Sequence, residues 1–455
     1  RSIRDIDDED HKFVVVISLS IFIDCSSGVE GGAIGSGKLG EGIGGEQTMI
    51  GTNDMKISDC NFTRCESGKG GALYFQDGTK EGDEETVIEN SHFYECYASG
   101  TENEGYAISC RSYQITVKNC DFHDHHSNGI AQHGTRDCVV YVETNEAEVQ
   151  PTISGLTFEN SEGVSGLVVN VSSGQNIEIT ELHFNHIRGD EPCINLDLWQ
   201  SNKFITILDS TFSNVQNARC IMTKQSEHHL EIKFTKCKFE NNAFTNTQSS
   251  TDFILPYGSS IYLQGEAEII IDHCNFTNNT AVCGGGAIYA KTQSIELSSN
   301  RFVDCSVSGQ GDQGYGGAVF LNQELEGESE GEENYERVTG NIFINCHSSI
   351  SGGAIYVHCH DEKHKRSIRD IDDENHKFVV VIEMSNFTDC SSKVEGGAIC
   401  SGKPDESFEG EGSTTAVGTN DMKIAYCYFT RCESGKGGAL YFQDGTKEGD
   451  EETVI

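Results

Sequence analysis

The chain has 455 residues, of which 50 are glycine, 19 cysteine, 4 proline and 1 tryptophan, and its 72 acidic against 32 basic side chains give a formal net charge of -40. Such a charge excludes nucleic acid and anionic membrane surfaces as partners, because both would repel it. No apolar run reaches the ~18 residues of a membrane-spanning helix, and "KFVVVISLSIFI" is too short, so no membrane span is expected.

Taken in chain order, thirteen short words align on one phenylalanine, among them "VVVISLSIFIDC", "DMKISDCNFTRC", "ETVIENSHFYEC", "EIIIDHCNFTNN" and "VVVIEMSNFTDC". Their phenylalanines are Phe22, Phe62, Phe93, Phe122, Phe158, Phe184, Phe212, Phe239, Phe276, Phe302, Phe343, Phe387 and Phe429, spaced between 25 and 45 residues apart. Inside each word β-branched and polar residues alternate with period two, which predicts short strands with the phenylalanine turned inward. The residue before it, as at Asn61, His92, Asp121, Lys238 and Arg301, faces water on the same argument. After most words comes a second one, "GGAI", "GGAL" or a relative such as "RCIM". Paired glycines suit a tight corner, since glycine tolerates positive φ and carries no Cβ to strike the next coil.

Two or three such strands with their corners make one coil, and a coil covers its apolar side only by stacking on others. The expectation is an all-β protein, a parallel β-helix (β-solenoid). Many corners and few prolines agree with uninterrupted ladders. Acidic, glycine-rich insertions such as "GSGKLGEGIGGEQTMIG" and "NQELEGESEGEENYE" should project from one side.

A larger repeat contains the small one. Arg1 to Lys38 returns as Arg366 to Lys403 with 31 of 38 positions identical, and Gly51 to Ile88 returns as Gly418 to Ile455 with 35 of 38 identical. Residues 1–365 therefore form one β-helical tile of about 12 coils, and residues 366–455 start a second tile continuing the same solenoid. The break inside a repeat unit reads as a window on a longer tandem array, which also accounts for the lack of a visible signal peptide. Twelve coils at about 4.8 Å give an expected axial tile repeat of roughly 58 Å.

The alternation of F-x-x-N or F-x-x-C with G-G-A-[ILV] resembles the repeats of the chlamydial polymorphic outer membrane proteins, which also occur in large surface proteins of some protists. The resemblance covers nearly the whole chain. It implies a right-handed β-helix exposed at a cell surface, with adhesion as the usual role. The chain departs from that pattern in placing cysteine where asparagine is usual, at Cys25, Cys65, Cys96, Cys305, Cys346, Cys390 and Cys432, and in showing no membrane-anchoring barrel.

Nineteen cysteines without C-x-x-C pairs point to an oxidising, extracellular or cell-surface setting. Equal places in consecutive coils become neighbours. Cys193 and Cys220, in "PCIN" and "RCIM", and Cys237 and Cys274, each two residues before a phenylalanine, are the leading disulfide candidates, with Cys305 and Cys346 next. The alternative is a buried column of free thiols, because the stacking distance exceeds the usual disulfide Cβ separation of ~3.5–4.5 Å.

Five glycosylation sequons start at Asn61, Asn170, Asn275, Asn278 and Asn386, and the alternation turns Asn61, Asn275 and Asn386 outward. The acidic loops are candidates for calcium, although no EF-hand loop or G-G-x-G-x-D repeat is present, and no cofactor is otherwise expected. Some β-helices are sugar-cleaving enzymes that use clustered carboxylates. Here Asp7 and Asp8, repeated as Asp372 and Asp373, read as a solvated acidic turn. The histidines of "HDHH" (His123, His125, His126) and "HCHDEKH" (His358, His360, His364) read as exposed loop residues over metal ligands. The expected function is an extracellular structural fibre or stalk that pairs with itself end to end and displays glycans; the alternatives are a surface adhesin and a carbohydrate-active enzyme.

Overall fold

A computed structural model describes residues 15–36, 55–75, 85–99, 105–111, 114–126, 138–144, 151–171, 177–189, 191–197, 203–223, 230–245, 257–309, 314–324, 336–360, 380–402, 422–442 and 453–454. They fall into two compact units, Arg1–Leu156 and Thr157–Ile455. Among the described residues there is no helix, and strand pairs only with strand in parallel. The chain is a right-handed parallel β-helix.

One coil of the second unit shows how the sequence makes the fold. The strand Ile261–Asp272 forms the long face, Asn275–Thr277 carries Phe276, Thr280–Ala281 forms a short third face, and Gly284 to Gly286 turn the chain into Ile288–Ser298, the long face of the next coil. Every face pairs with its successor, Ile261 with Ile288, Phe276 with Phe302 and Thr280 with Ser306, and the long face shifts register once, between Gly265 and Glu268. In other coils the long face is cut in two. Leu73–Phe75 pairs with Ile108–Arg111, while Glu85–Glu89 pairs with Gln114–Lys118, so neither half loses register to the residues between. The expected coil of two or three strands thus becomes four segments where an insertion enters. Residues 37–54, 325–335, 361–379 and 403–421, which include most of the acidic insertions, all enter between the halves of the long face.

Each phenylalanine strand is three residues long and is flanked by left-handed corners. In the coil of Phe62 these are Asp59 (φ 55) and Arg64 (φ 50), and in the coil of Phe276 they are His273 (φ 53) and Asn278 (φ 53). A left-handed residue with a side chain costs about 1–2 kcal/mol, so these corners persist only because stacked neighbours hold them. The glycine pair works by two different means. Gly352 needs its φ of 68, whereas a Cβ on Gly353 would stand 2.0 Å from the Gly397 carbonyl oxygen of the next coil.

The core is a stack of phenylalanine rings. In the first unit Phe22, Phe62, Phe93 and Phe122 follow one another at 4.9, 4.9 and 5.0 Å between centroids. In the second, Phe158, Phe184, Phe212, Phe239, Phe276, Phe302, Phe343, Phe387 and Phe429 stack at 4.5 to 5.1 Å with nearly parallel planes. All are buried except Phe22 and Phe429, which are half-buried.

Candidate functional site: polar and thiol columns at the corners

On the inner side of each corner stands one residue, and in many coils its side chain bonds the backbone of the neighbouring coil. Two residues before the phenylalanine, the second unit carries Leu182, Ser210, Cys237, Cys274, Asn300, Asn341, Ser385 and Cys427. Three residues after it stand Ser161, Ile187, Val215, Asn242, Asn279, Cys305, Cys346, Cys390 and Cys432. The first unit repeats this with Cys60, Ser91 and Cys120 in one column and Cys25, Cys65, Cys96 and His125 in the other.

Asparagine defines the job. Asn279 Oδ1 accepts the backbone N–H of Asn242 at 3.2 Å, and its Nδ2 donates to the Phe239 carbonyl at 3.0 Å. Asn242 makes the same two bonds one coil earlier, to the Val215 N–H at 3.1 Å and the Phe212 carbonyl at 3.1 Å. Both partners are backbone groups of the neighbouring coil, and backbone polar groups buried away from water need such partners. Cysteine keeps the donating half. The thiols of Cys305, Cys346, Cys390 and Cys432 point at the carbonyls of Phe276, Phe302, Phe343 and Phe387, at 3.6, 3.9, 3.8 and 3.7 Å. This is the physical content of cysteine at the asparagine place, and it was not legible from the spacing.

The disulfide candidates are neighbours in the stack, and all stand as free thiols. Cys193 and Cys220 touch, and burial with the Cys193 thiol pushes Cys220 well up. The Cys237 backbone N–H meets Cys274 Sγ at 3.3 Å, and burial followed by the Cys237 thiol raises Cys274. Burial, then its neighbours Cys305 and Cys390, raises Cys346. Cys390 goes the other way, down to about 4, because the thiols of Cys346 and Cys432 both donate to it. Phe302 and Phe343, three residues before Cys305 and Cys346, stack at 4.7 Å between ring centroids, so the two cysteines stand in adjacent coils.

The outward sites are placed as the alternation requires. Asn61, Asn275 and Asn386 are exposed on the phenylalanine strands, and Asn275 sits between Lys238 and Arg301 of the adjacent coils. Asn278 is exposed in a left-handed corner and donates to Asn241 Oδ1 at 2.9 Å. Asn170 lies in the strand Ser165–Val171, with its side chain outside the described residues.

The histidines correct the expectation of exposed loop residues. His126 is exposed and His123 half-buried, but His125 is fully buried, since it holds the inward place three residues after Phe122. Neither of its ring nitrogens has a hydrogen-bond partner among the described residues, and burial, helped by His126 and His123, lowers it to about 3. His358 is also buried, its Nδ1 3.3 Å from the Gly402 carbonyl. The His360 side chain, His364, Asp7, Asp8, Asp372, Asp373 and most of the acidic insertions offered for calcium lie outside the described residues. Among the described residues no three His, Cys, Asp or Glu side chains converge on a metal-sized space, and no helix is long and apolar enough to cross a membrane.

Residues 193–369 match the family described as the right-handed β-helix region. No curated protein and no solved structure matches the chain.

Proposed function

We propose that this β-helix is an extracellular structural protein, a fibre or stalk of tandem tiles related to the polymorphic outer membrane protein-like repeats, whose principal partner is another copy of its own tile. The observation that carries this reading is the seam between the tiles. Phe343, in the last coil of the first tile, and Phe387, in the first coil of the second, stack at 4.8 Å and 0°, and Ile342 pairs with Asn386 beside them. A tile junction has the same geometry as any other coil junction in that unit, so tiles can be added without new interface chemistry. The exposed acidic surface supports solubility, and the exposed sequons support a secreted, glycan-bearing protein. Catalysis is left out of the reading, since a β-helix alone confers no activity.

Electron micrographs of native material test it: filaments with a regular axial repeat are expected, and isolated monomeric particles at high concentration would overturn it. One observation favours a second reading, that of an adhesin. In several coils the sequence between the two described halves of the long face is long, and in residues 325–335 and 403–421 it is acidic, which is where binding segments are added to a rigid scaffold. Deleting residues 403–421 would abolish adhesion on that reading and leave filaments intact on the first.

A further inference from the structure

We propose that the column of Cys305, Cys346, Cys390 and Cys432 is a binding site for a soft monovalent cation, copper(I) or silver(I), each ion held linearly between the sulfurs of two adjacent coils.

Register brings the four together. Phe302, Phe343, Phe387 and Phe429 pair strand to strand, and each cysteine follows its phenylalanine by three residues, so the thiols occupy one inner line. Cys346 contacts both Cys305 and Cys390, and Cys390 contacts Cys432. The spacing selects the occupant. Successive coils here are 4.7, 4.8 and 5.0 Å apart, measured between the rings. A thiolate–metal bond of about 2.3 Å makes a linear sulfur–metal–sulfur bridge roughly 4.6 Å long. A disulfide draws its two sulfurs to about 2.05 Å, whereas a two-coordinate ion bridges sulfurs left near the coil spacing.

Coordination number and charge narrow it further. No third His, Cys, Asp or Glu ligand converges on any pair among the described residues, which leaves zinc without its tetrahedron. Thiolate sulfur prefers copper(I) over harder ions. The column is buried apart from half-buried Cys432, so a neutral site is favoured. Neutrality follows when each pair holds its ion as a thiolate–metal–thiol unit, with no change of oxidation state: Cys305 and Cys346 release one proton to solvent, and Cys390 already carries the negative charge of its pair with Cys432. Four thiols then take two ions.

The protein supplies its own benign substitution, because Asn242 and Asn279 hold the same place in other coils and keep the corner bonded. The experiment titrates the reduced full chain with silver(I), and with copper(I) under anaerobic conditions, and reads metal stoichiometry by native mass spectrometry and proton release by a pH indicator. The comparison is with the double variant Cys346→Asn/Cys390→Asn, which leaves no adjacent pair in this column; other cysteines cancel in the difference. A loss of two ions per chain, with about one proton fewer released by the variant than by the parent, is expected. Equal stoichiometry in parent and variant, or zinc(II) binding equally well at the column, would overturn the proposal. Should the variant misfold by circular dichroism, alkylation mapping of the parent decides: silver(I) must protect half-buried Cys432, and its unchanged labelling refutes the site.

Discussion

Asn341 holds the backbone of Asn300, one coil away, by two routes: its Oδ1 accepts the Asn300 N–H at 2.9 Å, and its Nδ2 donates to the Leu297 carbonyl at 2.8 Å. Asn300 treats Cys274 and Ile271 in the same way, at 2.8 and 2.7 Å. These bonds are buried, so removing the carboxamide strands the Asn300 N–H and takes one bond from the Leu297 carbonyl. Asn341→Leu should destabilise its unit by about 1–3 kcal/mol through the stranded N–H. Asn341→Ser should be milder, because Ser385 fills the equivalent place and accepts the Asn341 N–H at 3.1 Å. Hydrogen exchange at the Asn300 amide is the local readout: fast in the leucine variant, slow in the serine variant.

The phenylalanine stack makes a second prediction about coupling. Phe302→Ala deletes a buried ring from between Phe276 and Phe343, each 4.7 Å away, and should cost about 3–5 kcal/mol. Phe302 and Phe343 touch, so their alanine variants should be non-additive by more than ~0.5 kcal/mol, whereas Phe302 and Phe184, several coils apart, should add. Denaturant unfolding of the two double variants measures both, and additivity in the touching pair would mean that the rings do not act as one column.

His125 sets a pH dependence in the first unit. Its folded value is lowered to about 3 by burial, against the ordinary histidine value of 6.5, so the unfolded chain takes up a proton that the folded one refuses. Stability contributed by the neutral ring is complete above about pH 6.5 and falls as the pH drops towards 3, by about 1.4 kcal/mol per pH unit. His125→Asn, which puts the Asn242 solution at the same place, should flatten that slope. Unfolding midpoints of both proteins between pH 7 and 4 check it; parallel curves would remove His125 as the cause.

What the sequence made legible followed from strict period. The phenylalanine column, the outward place of Asn61 and Asn275, and the glycine corners each repeat a residue type at a fixed offset. The left-handed corners escaped notice because geometry repeats there while identity does not: Asp59, Arg64, His273, Met384 and Tyr426 all adopt positive φ. His125 was misread for a related reason. It stands in a column otherwise filled by Cys25, Cys65 and Cys96, and residue type suggested a surface loop while the offset of three from Phe122 placed it inside. The offset was the better guide. The bonding role of the cysteines was beyond the sequence, since it is the folded stack that aims thiol and carboxamide at equivalent carbonyls of successive coils, Cys305 at Phe276 and Asn279 at Phe239.

Glycan attachment gives the last test, and it separates sites that look alike as motifs. Asn61, Asn275 and Asn386 stand exposed on flat strands beside the buried phenylalanine, with solvent in front of the amide. Asn278 is also exposed, yet its Nδ2 is committed to Asn241 Oδ1 at 2.9 Å in a left-handed corner, and a sugar there would displace a bond in the ladder running through Asn214 and Asn185. The tiles themselves differ, for Ile21 stands where the second tile has Asn386, and Tyr428 where the first has Asn61. Glycans should therefore occupy opposite coils in successive tiles: the second phenylalanine coil of the first tile and the first of the second. Peptide mass spectrometry of protein secreted from eukaryotic cells should find added hexosamine and hexose on the peptides of Asn61, Asn275 and Asn386, and bare Asn278. A modified Asn278 beside a bare Asn275 would show that outward strand position does not select the site.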